Sequence, residues 1–220
     1  MDQPQKIVIL GAGGFAREVL WVFREANGAN PQWDVLGFVD EDKSKHGKII
    51  CDLPVLGGFD WFEGTDRQSV RVLSGVGSPL AKQHLADVSK KLGLEFCSLV
   101  HPDARMSQYV SIGCGTIITA GNIITTQVYL GDHVTINLGC TIGHDCNIGN
   151  YSTLAPGIHL SGYCKIGEGV ELGTGCVVLP GITVGSWSRI GAGAVVVKNV
   201  PDGVTVAGIP ARIIGQDSDR

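Results

Sequence analysis

The second half of the chain repeats every six residues, and residues 136–172 show the repeat clearly: INLGCTIGHDCNIGNYSTLAPGIHLSGYCKIGEGVEL. An aliphatic residue occupies every sixth position from Ile112 to Val196 without interruption. A helix repeats near 3.6 residues and a strand at 2, so neither explains this period. We therefore predict a solenoid in which each hexad forms one short face and a corner. Three hexads close one triangular coil, with the aliphatic side chains pointing inward.

Two other positions of the hexad carry small residues. One set directly follows the aliphatic position and recurs in every third hexad, at Gly113, Gly131, Gly149, Gly167 and Gly185. We interpret this column as a corner that requires a positive φ angle. The fourth position after the aliphatic residue is mostly small, which is typical of a narrowing interior, and it contains Cys140, Cys146, Cys164 and Cys176. These cysteines are expected to be buried free thiols.

The composition excludes several classes of protein. The chain has 220 residues, a net charge of -4 and 44% hydrophobic residues, which predicts one large folded domain or two small ones. The few Lys and Arg are scattered, so no nucleic-acid partner is expected. Seven cysteines without a CxxC pair argue against a disulfide framework or a zinc ribbon. Neither a signal peptide nor an apolar run long enough to span a membrane is present, so we expect a cytoplasmic protein with no membrane partner.

The first hundred residues show a different pattern. Lys6–Leu10 reads as a strand, Gly11–Gly14 as a glycine turn, and the residues after it as a helix. Two further strands are predicted at Val35–Asp40 and Val70–Gly75, and Pro79 can begin a second helix. The pattern indicates a small Rossmann-like domain of the α/β class.

The glycine turn matches G-x-G-x-x-A, which brings backbone N–H groups and a helix N-terminus close to a phosphate. About 95 residues is short for a dinucleotide oxidoreductase, and no second half follows, so a nucleotide or its sugar conjugate is the favoured ligand. A tight structural turn remains the alternative. Asp40, at the end of the second predicted strand, is placed to reach a ribose hydroxyl. The candidate substrate-binding residues of this region are Gly11, Gly13, Gly14, Asp40, Glu41, Gly77 and Ser78.

The combination of the two halves resembles a known family. A domain that begins KIVILGAGGFARE, a linker at 100–104, a hexapeptide solenoid carrying Gly143-His144-Asp145 and a closing segment at 200–212 together resemble the NeuD/PglD-type sugar acetyltransferases. The resemblance implies an α/β Rossmann-like domain at 1–99, an all-β left-handed parallel β-helix at 100–212 and a tail at 213–220. It also implies a homotrimer that uses acetyl-CoA as cosubstrate and no metal.

The same resemblance implies the reaction. Members acetylate the amine of a nucleotide-linked 4-amino-4,6-dideoxy sugar, and a branch of the family acetylates hydroxyl groups. N-acetylation is therefore expected here, and O-acetylation of a sialic acid or related sugar is the alternative. A zinc carbonic anhydrase on the same solenoid needs three converging histidines, which the spacing does not supply. A non-catalytic solenoid is disfavoured by the N-terminal nucleotide-type domain.

His144 is the candidate general base, because acetyl transfer to an amine releases a proton and histidine titrates near neutral pH. Asp145 is adjacent and can orient the ring, although neighbours in an extended strand point apart, so direct contact requires a turn and otherwise a relay. Gly162, one coil above, is expected to leave room for substrate. On the resemblance, His144 is the base and Asp145 replaces the family's more frequent Glu.

Further residues are assigned by the resemblance. Asn137 is placed in the amino-sugar site, and its alternative is a corner residue with positive φ. Family members often have histidine at the position of Thr153, so the contact to the acetyl carbonyl is expected to differ. The residues expected to bind acetyl-CoA are Thr153, Gly173, Thr174, Gly191 and Ala192.

Overall fold

The computed structural model describes residues 3–28 and 31–216, and its contacts divide the chain into two compact units. The first unit extends to Gly77 and continues from Ala81 to Pro102, and the second contains Ser78–Leu80 and the residues from Asp103 onward. The division therefore falls at Pro102 rather than at the predicted position 99. Within these described ranges, no helix is long and apolar enough to cross a membrane.

The first unit alternates strands and helices as the sequence predicts. Its elements, in chain order, are β1 (Gln5–Leu10), α1 (Gly14–Asn27), β2 (Trp33–Val39), β3 (Ile49–Ile50), β4 (Leu53–Gly57), β5 (Val70–Ser74), α2 (Pro79–Lys91) and β6 (Glu95–Phe96). Three short 3-10 helices lie at Lys43–Lys45, Phe59–Gly64 and Arg67–Ser69.

The strands form a six-stranded sheet in the order β3-β4-β2-β1-β5-β6, and every pair except β3 with β4 is parallel. β1 lies between β2 and β5, so its buried residues Ile7–Leu10 form the centre of the core. α1 buries one stripe, which includes Val19 and Phe23, as its apolar spacing predicts. Because the chain moves to opposite sides of β1, the carboxyl ends of the central strands leave a crevice there.

The second unit is a parallel β-helix with three faces. One face has strands at Ile117–Ile118, Thr135–Ile136, Thr153–Leu154, Glu171–Leu172, Arg189–Ile190 and Val204–Ala207. The second has Arg105–Met106, Ile123–Ile124, Thr141–Ile142, His159–Leu160, Val177–Val178 and Val195–Val196. The third has Val110–Ile112, Val128–Leu130, Asn147–Ile148, Lys165–Ile166 and Thr183–Val184. A further short strand, at Leu99–Val100, belongs to the first unit.

The inward positions agree with the six-residue pattern. Every sixth residue from Ile118 to Val196 is buried. The four cysteines of the small-residue position are also buried and free, as predicted. Burial raises the pKa of Cys140, and it is the main cause that raises the pKa of Cys176 to about 12. These two thiols therefore stay protonated at neutral pH and serve as small apolar groups.

The prediction that the glycine column from Gly113 to Gly185 requires positive φ angles is wrong. The left-handed backbone conformation lies two residues later in each hexad, from Gly115 to Gly193, and recurs every six residues there. Eight of these corners are glycine, and six carry other residues: Gln127, His133, Asp145, Tyr151, Tyr163 and Trp187. The column that contains Gly149 has ordinary φ values and is glycine for a different reason.

That reason is close approach between coils. A Cβ added to Gly149 would lie 2.7 Å from the backbone N of Glu168 and 2.7 Å from the carbonyl carbon of Gly167. At Gly157, a left-handed corner with φ of 70°, an added Cβ would meet nothing within 4 Å. Glycine therefore supplies space at the first position and conformational freedom at the second.

The end of the coil also differs from the prediction. Residues 213–220 are predicted to be a tail, but Arg212–Gln216 forms a strand that pairs antiparallel with Val204–Ala207. This strand is exposed along its whole length. Residues 217–220 lie outside the described part of the chain.

The two kinds of glycine predict different responses to substitution. Gly149→Ala should lower the free energy of unfolding by about 3 kcal/mol or more, because the facing backbone has to move. Gly157→Ala should lower it by only about 1–2 kcal/mol, the cost of a left-handed non-glycine residue. Denaturant unfolding at a fixed protein concentration measures both.

Asparagine provides the control, because it tolerates positive φ. Gly157→Asn should destabilise less than Gly157→Ala, whereas Gly149→Asn should be at least as harmful as Gly149→Ala. Equal losses at the two positions would contradict the distinction.

Candidate active site

His144 and Asp145 lie at one corner of the coil and are in direct contact. Asp145 has a φ angle of 59°, and its backbone N–H donates to the carbonyl of Thr126, one coil below, at 3.1 Å. This left-handed turn brings the Asp145 Oδ2 to 2.8 Å from the Nδ1 of His144. From the sequence, His144 and Asp145 could be in direct contact through a turn or be linked by a relay. The structure shows the turn and the direct contact.

This contact sets which ring nitrogen is available for chemistry. The carboxylate oxygen accepts a hydrogen bond, so Nδ1 carries the proton and Nε2 presents its lone pair in the neutral ring. Within residues 3–28 and 31–216, Nε2 has no hydrogen-bond partner, and half of the His144 side chain is exposed. The pair therefore has the arrangement of an oriented general base that is open to a ligand.

The ring of His144 is held by the next coil. A Cβ added to Gly162 would lie 2.7 Å from both Cε1 and Nε2 of His144. The expectation that Gly162 leaves room for substrate is therefore wrong, because the imidazole itself occupies that space. Tyr163 completes the contact: its N–H donates to the His144 carbonyl at 2.9 Å, and the two rings meet edge to face with centroids 4.9 Å apart.

Tyr163 was missed by the sequence interpretation. It lies three hexads, or one full coil, after Asp145, so the coil spacing alone places it directly above Asp145 and beside the candidate base. That spacing is the signal that could have identified it.

A cavity of 410 Å3 lies on the face of the coil that contains Thr153. Its lining includes all five residues predicted for acetyl-CoA: Thr153, Gly173, Thr174, Gly191 and Ala192. Glu171 and Arg189 were not predicted, and they line the same cavity as an ion pair with 3.3 Å between Nε and Oε2. The two glycines expose backbone at the cavity wall, and the ion pair supplies its charged groups.

Asn137 belongs to the same column as Gly173 and Gly191, at whole numbers of coils before them. Its Oδ1 accepts a hydrogen bond from the Leu138 N–H at 2.8 Å. Its φ is not positive, and the left-handed corner is at Gly139 instead. The alternative that Asn137 is a positive-φ corner residue is therefore wrong, and its contact with an amino sugar stays a prediction.

In the first unit, the glycine turn is tied to the end of β2. Gly11 has a φ of 100°, and its N–H donates to the Val39 carbonyl at 2.7 Å. The Asp40 carboxylate accepts from the Ala12 N–H at 2.8 Å, from Lys45 Nζ at 2.9 Å and from the Asp42 N–H at 2.9 Å. Asp40 therefore fixes the turn, and its contact with a ribose remains a prediction.

Electrostatics agree with that role. Burial raises the pKa of Asp40, but the hydrogen bonds from Asp42, Lys45 and Ala12 outweigh it and bring the pKa below its usual value. Asp40 is thus a carboxylate at neutral pH, and three of its acceptor positions are already used.

A second cavity, of 180 Å3, lies at the carboxyl ends of the central strands. It is lined by Gly11, Val39, Asp40, Glu41, Phe59, Val76, Ala81, His84 and Leu85. Three of the predicted substrate residues are therefore brought together, namely Gly11, Asp40 and Glu41. Gly13 is the N-cap of α1 and Gly14 its first residue, Gly77 lies in the loop after β5, and Ser78 directly precedes α2. No pattern in the sequence indicated Phe59 or His84.

The other histidines show no metal centre. His159 is exposed, and its Nδ1 lies 2.8 Å from the Thr141 hydroxyl on the coil below. Across the described ranges, no three His, Cys, Asp or Glu side chains are grouped so that they could hold a metal ion.

Comparisons with known proteins match both units. The PglD N-terminal domain family matches residues 6–88, and the bacterial transferase hexapeptide family matches residues 163–198. GDP-perosamine N-acetyltransferase of Escherichia coli O157:H7 is 30% identical over 156 residues, which are 70% of this chain and 69% of that protein.

Solved structures extend the likeness to almost the whole chain. A histidine-to-asparagine variant of perosamine N-acetyltransferase from Caulobacter crescentus, in complex with CoA and GDP-perosamine, is 32% identical with a TM-score of 0.89, and the match covers 96% of this chain and 97% of that one. The acetyltransferase domain of PglB from Neisseria gonorrhoeae is 32% identical with a TM-score of 0.85, covering 96% and 100%.

These matches also confirm the predicted fold class, a Rossmann-like domain followed by a left-handed parallel β-helix. Together with the architecture of the two units, they establish that the chain belongs to the NeuD/PglD-type family of acetyl-CoA-dependent sugar acetyltransferases.

Proposed function

We propose that this protein transfers the acetyl group of acetyl-CoA to the amine of a GDP-linked 4-amino-4,6-dideoxy sugar, with His144 as general base. The observation that carries the proposal is the oriented His144–Asp145 pair with an open Nε2. The names of two relatives support the acceptor, since one is a GDP-perosamine N-acetyltransferase and another was solved with GDP-perosamine and CoA.

The chemistry requires one proton to be removed from the amine. The amine nitrogen adds to the thioester carbonyl, and Nε2 of His144 takes the proton as the new N–C bond forms. The tetrahedral intermediate then collapses, the C–S bond breaks, and the leaving sulfur takes the proton from the His144 imidazolium, so CoA leaves as its thiol and the base is restored. Asp145 keeps the ring in the productive tautomer and stabilises the imidazolium that forms in between.

Neither neighbouring cysteine is a candidate nucleophile for a covalent route. Cys140 and Cys146 are buried inside the coil, and their sulfurs contact backbone carbonyls, such as that of Ser161 for Cys146. Burial raises the pKa of Cys140, and the adjacent Cys164 together with burial raises the pKa of Cys146. Direct transfer between the two bound substrates is therefore favoured.

We assign the donor to the cavity lined by Thr153, Gly173, Thr174, Gly191 and Ala192. Its exposed backbone suits the amide-rich pantetheine arm, and backbone N–H groups aimed at the thioester oxygen would stabilise the developing negative charge. Thr153 offers a hydroxyl in place of the histidine that family members often have, so its contact with the acetyl carbonyl is a neutral hydrogen bond.

We assign the nucleotide part of the acceptor to the first unit. The N-terminus of α1 begins at Gly14 without a side-chain cap, which leaves N–H groups that suit a diphosphate. The cavity of Gly11, Asp40 and Glu41 adjoins this turn. O-acetylation of a sugar hydroxyl remains the second candidate, because the same base and donor serve it.

The family resemblance supports a proposal about the assembly, and the composition supports one about the compartment. We propose a homotrimer in the cytoplasm. Sedimentation equilibrium should give about three times the 23.2 kDa chain mass, and a monomer at micromolar concentration would contradict it.

The dyad predicts a graded loss of activity. His144→Asn should lower kcat by about 10²–10⁴-fold, because the base is removed. Asp145→Asn should lower it by about 10–100-fold, because asparagine accepts the left-handed corner but loses the charge that orients the ring. The kcat of each variant can be measured at saturating substrate concentrations by titrating the thiol of the released CoA.

His159→Asn is the matched control, since His159 is also an exposed coil histidine but is bonded to Thr141. It should change kcat less than threefold. A loss below threefold for His144→Asn would remove His144 from the role of base.

The choice between amine and hydroxyl can be tested with a matched pair of acceptors. The protein should acetylate a GDP-linked 4-amino-4,6-dideoxy sugar and leave the analogue with a hydroxyl at C4 essentially unmodified. The product should be an amide that resists hydroxylamine, as mass spectrometry can show. Acetylation of a sialic acid hydroxyl, with no transfer to the amine, would favour the second candidate.

A further inference from the structure

The cavity of the first unit contains a carboxylate that the mechanism does not use. We propose that Glu41 recognises the nucleobase of the acceptor and selects guanine. This inference rests on the proposed function, because it assumes that the cavity holds the nucleotide. It identifies a residue that determines which nucleotide the protein accepts.

The two acidic residues that line this cavity differ in how much of each carboxylate is already used. Asp40 accepts three hydrogen bonds, from Ala12, Asp42 and Lys45. Glu41 accepts one, from the Phe59 N–H to Oε1 at 2.9 Å. Over the described part of the chain, its Oε2 accepts none. Glu41 is therefore the carboxylate with acceptor capacity left for a ligand.

The position of Glu41 is fixed although its side chain is exposed. The bond to Phe59 ties its Oε1 to the 3-10 helix that borders the cavity. Gly58 lies close to the same oxygen, since an added Cβ there would be 3.0 Å from Oε1. The carboxylate is thus held at the cavity wall by one oxygen, while the other is free to bind.

The rest of the cavity suits a flat heterocycle. Val39, Val76, Ala81 and Leu85 provide aliphatic surface, and the aromatic side chains of Phe59 and His84 line it as well. Such walls bind the faces of any base and do not distinguish among them. Discrimination between bases therefore requires a polar group that contacts the edge of the ring. Glu41 is the charged side chain of the cavity that retains a free oxygen.

A carboxylate suits the edge of guanine better than that of the other bases. Guanine presents two adjacent donors, the N1–H and the 2-amino group, and Glu41 can accept both in charge-assisted hydrogen bonds, one at its free Oε2 and one at the second lone pair of Oε1. Uracil and thymine present one N–H between two carbonyl oxygens, which would face the negative charge. Adenine presents one amino donor beside an acceptor nitrogen.

Calorimetric titration of the full-length protein with GDP, IDP and UDP tests the assignment. IDP lacks only the 2-amino group, so the comparison isolates one donor. The wild-type protein should bind GDP at least about tenfold more tightly than IDP, which is typical of a hydrogen bond to a charged group. In Glu41→Gln this ratio should fall below about threefold. Glutamine keeps the length of the side chain and an oxygen for the Phe59 N–H, so the loop is retained.

Glu63→Gln is the control, because Glu63 lies on the same 3-10 helix, is exposed and does not line the cavity. It makes the same change in charge and should keep the wild-type ratio of GDP to IDP affinity. An unchanged ratio in Glu41→Gln, or tighter binding of UDP than of GDP by the wild-type protein, would overturn the role of Glu41. If neither GDP nor UDP bound at all, the nucleotide site itself, and with it the proposed acceptor, would be refuted.

Discussion

Two hydrogen-bond ladders between successive coils set the register of the second unit. Strand N–H groups donate to carbonyls of the following coil, as Thr135 does to Ser152 and Thr153 to Val170, each at 2.9 Å. Corner N–H groups donate to carbonyls of the preceding coil, as Asp145 does to Thr126. Because these backbone groups must be paired at every turn, residues one coil apart are held directly above one another. An outward side chain therefore has fixed neighbours above and below.

The left-handed corner makes the dyad possible. A strand would point His144 and Asp145 to opposite sides, but a corner φ of 59° turns the carboxylate back toward the preceding ring. A non-glycine residue in this conformation costs about 1–2 kcal/mol. Tyr151 and Trp187 occupy equivalent corners, so the coil sustains this cost repeatedly, and the paired ladders on both sides hold the backbone there.

The period of six was sufficient to predict the coil, its buried stripe and its internal cysteines, because all three depend only on spacing. Spacing could not separate the two reasons for glycine. At Gly149 the facing backbone leaves no space for a Cβ, whereas at Gly157 the backbone requires a positive φ. Both requirements select glycine. The sequence also did not show which position of the hexad has the left-handed conformation, because side chains as different as Gln127 and Trp187 occupy it.

The same argument explains why the residues of the cavity proposed for acetyl-CoA were predicted more completely than those of the cavity proposed for the nucleotide. The resemblance assigned Gly173 and Gly191 to acetyl-CoA, and the register of the ladder places them on one cavity wall because they lie one coil apart. Phe59 and His84 come from a 3-10 helix and from α2, and no local pattern in the sequence sets where these elements meet the strand ends. The sequence also cannot show that Asp40 accepts hydrogen bonds from the glycine turn and its neighbours while the adjacent Glu41 keeps a free oxygen. On the proposed assignment, nucleotide specificity depends on loops of the first unit, where one side chain can be exchanged without disturbing the backbone ladder of the coil.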